Sequence, residues 1–221
     1  MGPLARRVRR KTPEAPLVAL SRGARAILGR PLSERETGQF NNYLILLRKW
    51  QKTQRLAGSS EPGWVVENLL LDSLLFLHVL PPSLTSLLDL GSGAGIPGIP
   101  IKIVAPDVKL VLVESRRRRA SFLSTVAREL GLVETRVVAG RAEDFVDELA
   151  GRFDAVVMRC AGDTETLLPT AARLVSPAGV VVASGPPSPK AASMGEWITV
   201  DDRAHGGTRT FLVCRKNVVG H

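Results

Sequence analysis

The chain has 221 residues, 44% hydrophobic and 23% charged, with 30 Lys and Arg against 21 Asp and Glu and a formal net charge of +9. That length makes one ordinary domain with a small appendage, whose core needs no covalent or metal staples. Cys160 and Cys214 are the only cysteines and His78, His205 and His221 lie far apart, which excludes a disulfide framework or four-cysteine zinc site and speaks against any metal centre.

Eight Lys and Arg fall in residues 1–30 against the single acid Glu14, and Arg116–Arg119 is an unbroken basic run. Clustered positive charge favours a polyanion as partner, nucleic acid before a neutral metabolite. With ten aromatic residues in all, base stacking is not the obvious binding mode. Residues 1–15 read as a flexible basic tail. Arg6, Arg7, Arg9, Arg10 and Lys11 resemble the start of a transit peptide, but Pro3, Pro13 and Pro16 limit a helix there, so a solvated tail on a cytoplasmic protein is expected.

From residue 16 to 82 the pattern is helical. Leu17, Leu20, Ala24 and Leu28 recur at helical spacing until Gly29-Arg30-Pro31. Ser33 with Glu36 three residues on forms a capping box for a helix through Phe40, Tyr43, Leu44, Leu47 and Trp50. A third helix covers Trp64–Leu77, ended by Pro81-Pro82; its apolar run is broken by Asp72 and Ser73 and is too short to span a membrane. Asp72 reads as a buried hydrogen-bonded residue or cap, and Trp50 and Trp64 as packing residues.

From residue 83 to 221 short apolar runs alternate with amphipathic stretches. Strands are expected at Ser86–Leu90, Lys109–Glu114, Glu134–Ala139, Phe153–Met158 and Gly179–Ser184, with helices at Pro97–Val104, Arg117–Leu130, Asp144–Leu149 and Glu165–Val175 between them. A closing hairpin is expected at Trp197–Val200 and Thr208–Cys214. This is an α/β doubly wound, mostly parallel, seven-stranded sheet behind an N-terminal helical region, and such sheets bind ligands at the carboxyl ends of their strands. The site therefore falls at residues 89–98, 114–118, 140–144 and 159–163.

Asp89-Leu90-Gly91-Ser92-Gly93-Ala94-Gly95 places an acid at a strand end, then glycines that let a ligand lie on the backbone. Gly93–Gly98 matches the dinucleotide pattern G-x-G-x-x-G literally. Two features oppose that reading: Pro97 removes an amide donor, and Asp89 would face a doubly negative pyrophosphate. A carboxylate there suits an ammonium-bearing ligand such as S-adenosylmethionine. Glu114, at the next strand end, is placed to accept from ribose hydroxyls, and Gly140–Asp144 to hold an adenine edge. Cys160 reads as an inert small residue beside Arg159, and Arg116–Arg119 taken alone reads as a solvated helix start.

Leu88–Pro100, Arg119–Leu132, Arg141–Asp144 and Phe153–Arg159 together resemble the glucose-inhibited division protein B family, the methyltransferase G family of the small ribosomal subunit. The resemblance extends to Lys49–Lys52 and Leu71–Leu74 and covers roughly residues 33–216. It implies a class I, Rossmann-like enzyme that uses S-adenosylmethionine to methylate N7 of a guanine in 16S ribosomal RNA. The expected partner is that RNA or the small-subunit particle, with no metal, no membrane and a monomeric chain. The cofactor residues implied are Asp89, Gly91, Ser92, Gly93, Gly95, Glu114, Ser115, Ala142, Glu143 and Arg159. Arg159 is also the substrate-positioning residue, and Arg118, Arg119, Arg141 and Arg209 are the RNA contacts. The chain departs from the family at Asn68-Leu69, where arginine-histidine is usual, at Gln51, Arg55 and Ala57, and at Ser184, where lysine is usual. Those departures keep a second function in view, a non-catalytic RNA-binding or ribosome-assembly factor on the same fold. The literal glycine pattern keeps a third, a nucleotide-dependent oxidoreductase.

Overall fold

The computed structural model describes residues 14–54, 56, 58–159, 164–185 and 193–216. Most of the basic tail, Arg55, Ala57, Cys160 and His221 lie outside the described residues.

Helix α1 (Pro16–Leu28) opens with proline in its first turn, where the missing N–H costs nothing, and closes on Gly29 in the left-handed conformation, φ 70°. Helix α2 (Glu34–Gln51) carries the expected capping box: the Glu36 N–H donates to Ser33 Oγ and the Ser33 N–H to Glu36 Oε2. Glu36 also receives both Nη groups of Arg30 at 2.8 and 2.9 Å, and these hydrogen bonds hold its carboxyl down to about 2. Arg30 and Arg35 in turn donate to the Val104 and Ile103 carbonyls, which fastens this region to the end of helix α5 (Gly98–Val104).

The third helical stretch departs from expectation. It is a short helix α3 (Pro62–Val65), a π-helical turn (Val66–Leu71), a short helix α4 (Asp72–Leu74) and a 3-10 turn (Leu75–His78). A π turn inserts one residue into the helical register, and periodicity alone does not reveal it.

Among the described residues seven strands follow: β1 (Ser86–Leu90), β2 (Lys109–Glu114), β3 (Thr135–Ala139), β4 (Phe153–Met158), β5 (Val175–Ser184), β6 (Glu196–Asp202) and β7 (Gly207–Arg215). Their order is β3-β2-β1-β4-β5-β7-β6, with β7 antiparallel to both of its neighbours and the other pairs parallel. Strand β5 begins four residues earlier than the apolar run suggested, directly after helix α8 (Thr164–Leu174), because Val175 pairs with Phe153 across an irregular register. The helix expected at Asp144–Leu149 is a 3-10 turn (Ala142–Phe145) followed by α7 (Val146–Leu149).

One apolar cluster joins Leu20, Phe40 and Leu70 of the N-terminal helices to Leu87, Ile99, Leu110 and Phe122, so those helices cover one sheet face in a single continuous core. Trp50 adds an edge contact to Phe122, 5.5 Å between ring centroids, linking α2 to helix α6 (Arg117–Glu129). A second cluster, with α7 and α8, covers the other face. The chain reverses direction across the sheet beside β1, where Asp89 is flanked by Leu112 of β2 and Val157 of β4. Ligands of such sheets lie at that point. Among the described residues no helix is long and apolar enough to cross a membrane, and no group of three or more His, Cys, Asp or Glu could hold a metal ion.

Candidate functional site

The turn after β1 is built from the backbone. The Gly91 and Ser92 N–H groups donate to the Val113 carbonyl, those of Gly95 and Ile96 to Ser92, and that of Ile99 to Gly95. Gly91, Gly93 and Gly95 have φ of 72°, 57° and 87°, a region that excludes most side chains. At Gly95 a Cβ would also lie 2.2 Å from Ile99 Cδ1.

Asp89 is fully buried beneath this turn. Its Oδ2 accepts the Gly98 N–H at 2.9 Å, and its Oδ1 has no hydrogen-bond partner among the described residues. Burial raises its pKa to about 7, the Gly98 N–H opposes that and the charge of Glu114 adds to it. A buried carboxylate with one open oxygen fits a cationic ligand group. Glu114, also buried, accepts the Gly93 N–H at 2.9 Å on Oε2 and the Arg116 N–H at 2.8 Å on Oε1. One lone pair on each oxygen stays available, which suits two hydroxyls. The Ser92 side chain is buried and its Oγ donates to the Asp89 carbonyl, so it closes the turn from inside. A dinucleotide fits poorly. Pro97 and Pro100 have no N–H, those of Gly98 and Ile99 are already bonded, and α5 has seven residues.

Tyr43, missed at the sequence level, reaches the same turn. Its ring is fully buried on α2 and its hydroxyl donates to the Ala94 carbonyl at 2.5 Å. Burial, then the nearby Asp89 charge, pushes its pKa well up, so it stays a donor. The apolar spacing that placed Tyr43 on the inner face was visible, but the polar end had no visible partner. Gln39, one turn earlier, donates to the Leu130 carbonyl.

Around the turn, Gly91, Ser115, Arg118, Arg141 and Glu143 are exposed and Ala142 is buried. Arg119 lies half-buried against the glycines: a Cβ built on Gly93 would be 3.8 Å from its Nη1. Arg116–Arg119 with Thr53 and Gln54 line an open groove of about 400 Å3. Across the site Arg159 and Arg209 are brought together by Asp72, and the three line a polar cleft of about 340 Å3 with Glu67 and His205. Arg159 and Arg209 were implied as separate site residues and Asp72 stood out as an interruption of the apolar helix, but nothing in the sequence joined the three.

A family model described as rRNA small subunit methyltransferase G matches residues 36–189. The protein named ribosomal RNA small subunit methyltransferase G of Sorangium cellulosum is 38% identical over 160 residues, covering 71% of this chain and 67% of that protein. Its namesake in Brevibacillus brevis is 39% identical over 137 residues, covering 61% of this chain; the match spans 58% of that relative's length. Among solved structures, cofactor-bound Rv0187 from MTB superposes with TM-score 0.57 at 17% identity, covering 93% of this chain and 100% of that one. The O-methyltransferase TomG of Streptomyces achromogenes in complex with SAM does so with TM-score 0.53 at 18% identity, covering 84% and 91%. The structural likeness shows a class I methyltransferase fold, and with the family match over residues 36–189 the chain belongs to the small-subunit ribosomal RNA methyltransferase G family.

Proposed function

We propose that this protein methylates N7 of a guanine in 16S ribosomal RNA with S-adenosylmethionine as methyl donor. The observation that carries the donor assignment is the pair of buried carboxylates at adjacent strand ends, Asp89 with an open oxygen and Glu114 beside the glycine turn. S-adenosylmethionine, when bound, supplies an electrophilic methyl carbon on a sulfonium. Asp89 meets its ammonium group, Glu114 its ribose hydroxyls, the Gly91–Gly95 backbone its body, and Ser115, Ala142 and Glu143 the adenosine end, while Ser92 keeps the turn closed.

Guanine N7 has an in-plane lone pair and no proton, so its methylation needs no general base. The residues have to orient the base and exclude water, and orientation alone is worth several kcal/mol. Arg159, at the end of β4, meets the acceptor nucleotide. Arg118, Arg119 and Arg141 contact phosphates, which position the RNA without reading its sequence. Relatives bearing the name of a ribosomal RNA methyltransferase support this reading.

Incubating the protein with labelled S-adenosylmethionine and small-subunit RNA or particles, then mapping the label, tests it. Label at N7 of one guanine is expected. RNA binding without transfer favours an assembly factor, and nicotinamide dinucleotide binding without donor binding favours an oxidoreductase.

A further inference from the structure

Asp72 is the hub of an ion cluster that joins three distant parts of the chain. Its Oδ2 lies 3.1 Å from Arg159 Nε at the end of β4, and its Oδ1 2.7 Å from Arg209 Nε on β7. The three side chains are 14%, 16% and 24% exposed. One carboxylate between two guanidinium groups neutralises one of two charges, and without it two largely buried cations would face each other.

The two arginines are held differently. Arg209 is held at both ends of its fork: its Nη2 donates to Ser184 Oγ at 2.8 Å and its Nη1 to the Gly185 carbonyl at 3.3 Å, while its Nε faces Asp72 as an ion pair. Arg159 has its Nη2 on the Asn68 carbonyl at 2.6 Å, inside the π turn, and lines the polar cleft. That turn directly precedes Asp72, and inserted π turns are frequent at functional sites. Its exit is pinned by Ser73 Oγ, which donates to the Leu69 carbonyl. The irregular helix therefore presents one hydrogen-bond acceptor, the Asn68 carbonyl, and one opposite charge, the Asp72 carboxylate, to a single guanidinium.

We infer that Asp72 is a positioning residue that acts through Arg159, an inference that rests on the proposed role of Arg159 at the RNA acceptor. Arg209 is then a strut that fixes the carboxylate rather than an RNA contact. An arginine side chain is long and freely rotating, and one already fixed by its neighbours loses less freedom when RNA arrives. Its planar fork also makes direction matter more than it would for lysine.

A double-mutant cycle tests this. Asp72→Asn keeps the shape and removes the charge; kcat on small-subunit RNA is expected to fall on the order of 10- to 100-fold, as small misplacements at a reacting centre do. The dissociation constant for S-adenosylmethionine should stay near its wild-type value. The variant carrying both Asp72→Asn and Arg159→Gln should be no slower than Arg159→Gln alone, because the two act as one unit. Losses that multiply, or Asp72→Asn at wild-type rate, overturn the proposal. Should Asp72→Asn fail to fold, Arg209→Gln retains the carboxylate and removes the strut. It is expected to lower kcat several-fold only when Arg159 is present, and a wild-type rate in that variant overturns the proposal equally. The same cycle read as affinity for an RNA fragment needs no methyl transfer. A chain that transfers no methyl group sinks the functional reading, while the affinity cycle still decides the role of Asp72.

Discussion

The Gly98 N–H donates to Asp89 Oδ2 at 2.9 Å, so the residue that opens α5 is also the one that holds the buried carboxylate beneath the glycine turn. A Cβ on Gly98 would lie 2.7 Å from that oxygen and 2.9 Å from both Asp89 Cβ and Leu112 Cδ2. Gly98→Ala is therefore an overpacking substitution without a backbone penalty, expected to cost about 1–3 kcal/mol of stability. It should also displace Asp89 and weaken donor binding. Denaturant unfolding and calorimetry check the two effects, and a variant unchanged in both would show that the turn yields freely.

Asp89 makes stability and donor affinity respond to pH in opposite directions. Its carboxyl has a pKa of about 7 in the fold against 3.8 for the unperturbed group, mainly through burial. The folded chain thus binds the extra proton; this contribution is full below about pH 4 and is lost as pH rises through about 7. Asp89→Asn, which mimics the neutral form, should be more stable than wild type near pH 8, the difference vanishing near pH 4. An ammonium-bearing donor needs the ionised form, so wild-type affinity should tighten by up to roughly tenfold per unit as pH rises toward 7. The variant should bind weakly and without that slope. A wild-type affinity flat across this range would place the ammonium elsewhere.

Tyr43→Phe tests the brace from α2. The substitution keeps the buried ring and removes the hydroxyl, leaving the Ala94 carbonyl without the bond it receives now. Unfolding should cost about 1–3 kcal/mol less, the usual penalty for stranding a buried acceptor. Because Ala94 lies inside the turn, S-adenosylmethionine affinity should fall with it. Loss of stability with donor affinity intact would make Tyr43 a core residue only.

The parts of the molecule that depend on local chemistry could be read from the residues. The Ser33–Glu36 capping box, the Gly29 stop and the strands ending at Leu90 and Glu114 follow from spacing and turn composition. The parts that depend on distant partners could not. Asp72 read as buried and hydrogen-bonded, but its partners are 87 and 137 residues away in the chain. Leu69, Leu70 and Leu71 are all buried in the π turn, so an unbroken run of three leucines does not show where the helical register shifts. Ser92 lay at the right place in the motif, and only the fold shows its hydroxyl turned toward the Asp89 carbonyl.

The arginine run beside Glu114 decides between a solvated helix start and an RNA contact. Arg116, Arg117 and Arg118 are exposed, and they line the groove with Thr53 and Gln54, whereas Arg119 leans on the glycine turn. Each arginine that neutralises a phosphate releases counterions, and for single strands each contact contributes about 0.7 to the slope of log affinity against log salt. Replacing Arg116, Arg117 and Arg118 together by Gln should therefore flatten that slope by about 0.7 through Arg118 alone, and by about 2 where Arg116 and Arg117 meet phosphates as well, for a small-subunit RNA fragment. Affinity should fall at low salt and converge on the wild-type value at high salt, while S-adenosylmethionine affinity holds, because Glu114 is fastened by the Arg116 backbone N–H rather than its side chain. An unchanged slope would make the run a solvated face, and the phosphate contacts would then have to come from Arg119, Arg141 and the basic N-terminal segment.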